Sequence, residues 1–161
     1  MRASRLSCPL IVVIALLAVP SFGAAQGLRG LSIGIHGAYN FNDLDEPGAG
    51  VHAIIDLPAG LALYPAVQSY FVTSGRLWRF STTLRWMPRS TSYHAYVAAG
   101  PYWSRSSDLG VVATDLGLLG QIGAERRGRL LRPFAEVQLL KDGAVSAELV
   151  AGVRVAVVHG R

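Results

Sequence analysis

The sequence predicts an all-β protein: an eight-stranded antiparallel up-and-down transmembrane β-barrel behind a cleavable signal peptide. Three observations carry that prediction. Eight runs of roughly ten residues alternate apolar with polar positions and are separated by turn chemistry. One parity of those runs is apolar and free of charge, while the other collects the charges and many small residues. The composition is 51% hydrophobic and 16% charged, which is too apolar for a disordered chain. Yet no stretch beyond the first residues approaches the ~18 uncharged apolar residues of a membrane helix. A length of 161 residues allows one domain.

Residues 1–25 read as the export signal and 26–161 as the barrel. Arg2 and Arg5 form a basic start, the apolar run from Leu10 to Val19 follows, and Pro20 breaks it before the small residues Gly23, Ala24 and Ala25. Cys8, the chain's single cysteine, lies inside this segment. The exported part therefore holds no disulfide, thiolate metal site or cysteine nucleophile.

The first run, 32–39, sets Ile33, Ile35 and Tyr39 against Ser32, His36 and Asn40, and an acidic loop over 42–48 follows. The second run, 49–57, closes on Pro58-Ala59-Gly60; the third, 61–71, closes on Thr73-Ser74-Gly75. The fourth, 77–87, ends at Pro88-Arg89-Ser90, and the fifth, 93–104, runs into a polar loop through Gly110. The sixth, 111–124, ends at Arg126-Arg127-Gly128. Lys141-Asp142-Gly143 turns the seventh, 131–140, into the eighth, 145–158. Eight strands joined by short turns, with no helix to cover an edge, favour closure into a barrel.

Two barrels fit this alternation. A soluble lipocalin-like periplasmic barrel, binding a small apolar ligand, turns the apolar parity inward; a membrane barrel turns it to lipid. The apolar parity holds too many wide residues for one narrow lumen, whereas Gly34, Gly50, Ala98, Gly117 and Gly152 on the other parity suit a small interior. The membrane orientation is therefore preferred. It places Trp78 and Trp86 on the lipid face, eight residues or about 26 Å of strand apart. At a tilt of ~40° this projects to about 20 Å along the membrane normal, near the ~25 Å apolar band of such barrels. Tyr93 and Trp103 are spaced similarly, so these four residues form the candidate interfacial aromatic girdle.

The same orientation gathers Arg79, Arg85, Asp115, Arg132, Glu136, Glu148 and Arg154 in the lumen as a candidate charge network. Buried charges must pair or be hydrated. Glu136 and Arg132 lie on the strand beside Glu148 and Arg154, so pairing between neighbouring strands is expected. A structural plug is the first reading, and a small-solute pore the other. His36, His52 and His94 share this parity and are expected to be hydrogen-bonded lumen histidines.

The chain resembles the small outer-membrane β-barrel proteins, the group of the OmpA-type transmembrane domain, OmpX and the opacity proteins. The resemblance rests on the overall pattern and on Leu131-Arg132-Pro133-Phe134-Ala135-Glu136-Val137-Gln138, the closing Ala151-Gly152-Val153-Arg154-Val155, and Leu63-Tyr64-Pro65. It implies periplasmic turns at 58–60, 88–92 and 125–129 and short external loops at 42–48, 72–76, 104–110 and 141–143. It implies the outer membrane as location, with its lipids and the barrel assembly machinery as partners, and a monomer. Such barrels usually end on an aromatic residue, whereas this chain ends Val157-Val158-His159-Gly160-Arg161.

Little points to chemistry. The basic residues form no stripe with interleaved aromatics, so no nucleic acid is expected. There is no Gly-x-Ser-x-Gly and no phosphate-cradling glycine loop, and Ser69 has no histidine on its parity. No catalytic residues, metal or cofactor are expected.

Overall fold

A computed structural model describes residues 30–41, 46–72, 75–88, 93–108, 111–126 and 130–159. The candidate signal peptide lies outside the described residues. The strands are β1 (Gly30–Asn40), β2 (Pro47–Asp56), β3 (Leu61–Tyr70), β4 (Gly75–Trp86), β5 (Tyr93–Asp108), β6 (Val111–Arg126), β7 (Leu131–Lys141) and β8 (Val145–His159). Each pairs antiparallel with its sequence neighbour, and β1 pairs with β8, so the sheet is a closed barrel. Closure leaves no strand without a neighbour on either side, which removes the exposed edges of an open sheet.

Every expected strand is present, but several run longer than the alternation suggests. β5 continues to Asp108 and β6 starts at Val111, so most of the expected loop over 104–110 is strand. β6 also continues to Arg126, taking Glu125 out of the expected turn. The β5–β6 hairpin stands above its neighbour on one side: the first β6 residue paired with β7 is Leu118, opposite Lys141.

The apolar parity faces outward. Ile35, Leu116, Leu118 and Ile122 are more than half exposed, as are Ile33 and Leu139, whereas Tyr64, Tyr96, Leu119 and Val150 are buried on the other parity. This corrects the lipocalin-like alternative, which needs the apolar parity inside. An outer surface this apolar exceeds what a water-soluble monomer exposes.

Inside, large side chains lie over glycines on the adjacent strand. His52 is registered against Gly34, and a Cβ on Gly34 would come within 2.6 Å of the His52 ring. His36 lies against Gly50 in the same way, and Tyr96 against Gly123. The small residues of the inner parity are thus the spaces into which the rings fold. At one rim, the tight turn at Pro58–Gly60 holds Ala59 and Gly60 at positive φ of 62° and 75°. There the Met87 amide donates to the Gly60 carbonyl at 2.8 Å.

Leu84 and Leu118 lie on the outward face, Leu84 two residues from Trp86 and Leu118 at the middle of β6. Leu118→Arg is expected to weaken insertion into lipid by up to ~2–4 kcal/mol, and Leu84→Arg by less, because the cost falls toward the interfaces. Thr83→Ser, on the inner parity, keeps the hydroxyl that donates to Gln121 Oε1 and should be tolerated. Refolding into bilayers, followed by the gel shift of the folded barrel, compares the three. Equal behaviour would overturn the assignment of faces.

Candidate functional site in the barrel lumen

The lumen is built by the inner parity of all eight strands, and its largest fully buried side chains include Arg85, Arg154, Tyr64, Tyr96, Glu136 and Glu148. Three ion pairs organise it. Arg79 on β4 binds Glu148 on β8 at 2.5 Å, Arg85 on β4 binds Glu136 on β7 at 3.0 Å, and Arg154 on β8 binds Glu125 on β6. No partner in these pairs is on an adjacent strand. These three pairs do not follow the expected pairing between neighbours, because the register places Arg154 opposite Arg132, Glu148 opposite Gln138, and Glu136 opposite Val150. Arg79 and Arg85 reach across the interior to their carboxylates, and Arg154 reaches past β7 to Glu125.

Toward one end, Glu148 is the hub. The Tyr70 hydroxyl donates to its Oε2 at 2.8 Å, and the Gln68 amide donates to its Oε1. Gln68 Oε1 lies 3.4 Å from His36 Nε2, and His36 Nδ1 lies 3.1 Å from His52 Nδ1. One ring of that histidine pair must donate and the other accept. The Arg79 guanidinium lies 4.8 Å from the Tyr70 ring centre and 5.6 Å from that of Tyr102. At the lip the Tyr102 hydroxyl donates to Asp142 at 2.8 Å.

Toward the other end, Glu136 is the hub. It accepts from Arg85, from the Tyr96 hydroxyl at 2.6 Å and from the Gln138 amide at 2.7 Å. Arg85 is sandwiched between Tyr64 and Tyr96, with its guanidinium carbon 4.1 and 3.7 Å from the ring centres. The His52 ring packs on Tyr64 and edge-on to Phe134, and so joins the two halves. Nε and Nη1 of both Arg85 and Arg154 make no hydrogen bond to the protein, and the two tyrosine rings cover the Arg85 guanidinium instead.

Five of the seven expected lumen residues, Arg79, Arg85, Glu136, Glu148 and Arg154, come together in these pairs. Arg132 is half-buried at the position opposite Arg154. Asp115 is exposed, on the part of β6 that rises above β7, so it stands apart from the buried network. Glu125 was missed because Arg126-Arg127-Gly128 suggested an earlier turn; its parity, continuous with Gln121, was the available signal. His94 sits opposite Glu125 and is half-buried. Of the candidate girdle, Trp78 and Trp86 are exposed on the outer face, and Trp103 is half-buried against Phe80, ring centres 4.9 Å apart. Tyr93 opens β5, and its side chain lies outside the described residues. Among the described residues, no group of three or more His, Cys, Asp or Glu is placed to hold a metal ion.

A closed eight-stranded barrel with a charged interior and an apolar exterior defines the architecture of a small outer-membrane-type β-barrel. Solved structures agree on the fold. The chain is similar to Neisserial surface protein A, with a TM-score of 0.69 and 19% identity over 81% of this chain and 99% of that one. The N-terminal β-barrel domain of Pseudomonas aeruginosa OprF matches with a TM-score of 0.62 and 16% identity, over 81% of this chain and 99% of that one. Ail, the attachment invasion locus protein of Yersinia pestis, matches with a TM-score of 0.58 and 15% identity, again over 81% and 99%. No protein-family model matches the chain. No curated protein matches its sequence.

Removing one partner of a buried ion pair leaves the other charge uncompensated, at a loss of ~3–5 kcal/mol. Glu136→Ala and Glu148→Ala are each expected to lose stability on that scale in urea unfolding from lipid. A water-filled lumen would instead leave both substitutions nearly silent.

Proposed function

We propose that this chain is an integral outer-membrane barrel with a structural or surface-interaction role, whose lumen is plugged by its own side chains. The observation that carries this reading is the pairing of Arg79, Arg85 and Arg154 with carboxylates on strands across the interior. The β4–β8 and β4–β7 pairs span the space through which a solute would pass, the β6–β8 pair lines it, and tyrosines flank two of the three arginines. An eight-stranded barrel is just wide enough for side chains to fill. Moving an ion through it requires breaking buried ion pairs, which is strongly unfavourable. The lumen charges therefore stabilise the fold rather than conduct, and the reading assigns no catalytic role.

The outer-membrane location is supported by the apolar exterior, the aromatics on it and the likeness in fold to the barrels above. The lipids of that membrane and the barrel assembly machinery are the partners this reading implies, with the barrel acting as a monomer.

Two measurements test it. Expressed in a bacterial host with an outer membrane, the protein should stay with the membrane pellet after carbonate and salt extraction; recovery in the soluble periplasmic fraction would contradict the location. Purified and added to planar bilayers, it should give no steady single-channel current. Reproducible conductance that changes in Arg79→Gln or Arg85→Gln would replace the plug by a small pore.

A further inference from the structure

The charge-free outer parity of the sequence holds only along the middle of the barrel wall. Arg76 and Arg105 fall within the expected loops at 72–76 and 104–110, but β4 begins at Gly75 and β5 continues to Asp108, so both are strand residues. Both are exposed and alternate with the outward positions: Arg76 is two residues from Trp78, and Arg105 two from Trp103. Arg105 is registered opposite Trp78, and Arg76 opposite Ser107. The two arginines are thus diagonal neighbours on one face of the sheet, a separation of roughly 7–8 Å that long side chains bridge.

We propose that Arg76 and Arg105 form a binding site for the phosphate of a lipid headgroup, on the outer wall at the rim opposite the start of β1 at Gly30 and the end of β8 at His159. The proposal rests on the membrane reading above. Two cations side by side on a sheet repel each other, and their outward neighbours offer no carboxylate. Ser107 and Val112 continue the row of Arg76, and Thr114 continues the row of Trp78 and Arg105. The Asp115 carboxylate falls on the inner parity, and among the described side chains neither arginine has an ion-pair partner. A phosphate relieves this repulsion, because guanidinium groups bind its oxygens through parallel charge-assisted hydrogen bonds. The Ser107 and Thr114 hydroxyls supply further donors beside it.

The surface directly below selects a lipid over free phosphate. Trp78 lies next to the arginines, and the next row toward the middle of the barrel is Phe80, Trp103 and Leu116. Leu116 is 75% exposed and Leu118, below it, 66%. Acyl chains cover such a ledge, and an indole at its upper margin matches the headgroup boundary. Inorganic phosphate gains nothing from it. Arg126, exposed at the opposite rim, faces the other interface and provides the control position.

The test uses the full-length barrel refolded into zwitterionic nanodiscs, with bisphosphorylated lipid A and its dephosphorylated form as probes and native mass spectrometry to read retention. The phosphorylated probe is expected to be retained roughly 30-fold more strongly, at the scale of two interfacial arginines. That preference should vanish in R76Q/R105Q and persist in R126Q, with folding confirmed by the gel shift. Equal retention of both probes, or an unchanged preference in R76Q/R105Q, would overturn the site while leaving the membrane reading intact. Displacement by millimolar inorganic phosphate would show a free-anion site and overturn the assignment to lipid. Failure of the wild-type chain to enter the bilayer would overturn the membrane reading and this site with it.

Discussion

The narrowness of an eight-stranded barrel is the constraint on which the rest of this structure depends. The inner parity must supply enough side-chain volume to fill the lumen, yet rings cannot face rings at every register position. Glycines opposite large residues resolve this. His52 over Gly34, His36 over Gly50 and Tyr96 over Gly123 each use the missing side chain of the neighbouring strand. The frequent glycines of a polar parity thus reflect packing rather than flexibility.

The same narrowness governs the charges. An arginine in this interior has little bulk water to solvate it, so its carboxylate has to lie within reach. With Arg132 opposite Arg154 and Gln138 opposite Glu148, none of the three ion pairs joins adjacent strands. The arginines therefore extend across the lumen, and each ion pair joins strands that share no backbone hydrogen bonds. The network braces the wall from inside, which is an arrangement suited to a closed scaffold. On the outside, the apolar wall around Leu84 and Leu118 gives way to the exposed Arg76 and Arg105 toward one rim.

Much of this was legible in the residues. Period-two alternation placed all eight strands, and the absence of charge along one parity settled which face is outside. Five members of the charge network followed from parity alone. What parity does not contain is the pairing: it says that Glu136 faces inward, but not that it meets Arg85 rather than a neighbouring cation, because that depends on register and on reach across the lumen. Strand ends were harder for a related reason. Arg105, Ser106, Ser107 and Asp108 carry turn-like composition, yet they are held in a ladder by β4 and β6. Misplacing those ends moved Arg76 and Arg105 off the wall and took Glu125 out of the lumen.

The coupling between Arg85 and Glu136 tests the account most directly. A double-mutant cycle with Arg85→Met, Glu136→Gln and the combined variant, each unfolded from lipid, isolates that interaction from the general effect of each substitution. If the pair braces the barrel across a poorly hydrated lumen, each single change should be strongly destabilising. The double variant should then be far less destabilised than their sum, with a coupling of about 2 kcal/mol or more. Additivity to within about 0.5 kcal/mol would mean that the two charges are independently hydrated, and would contradict the plugged lumen.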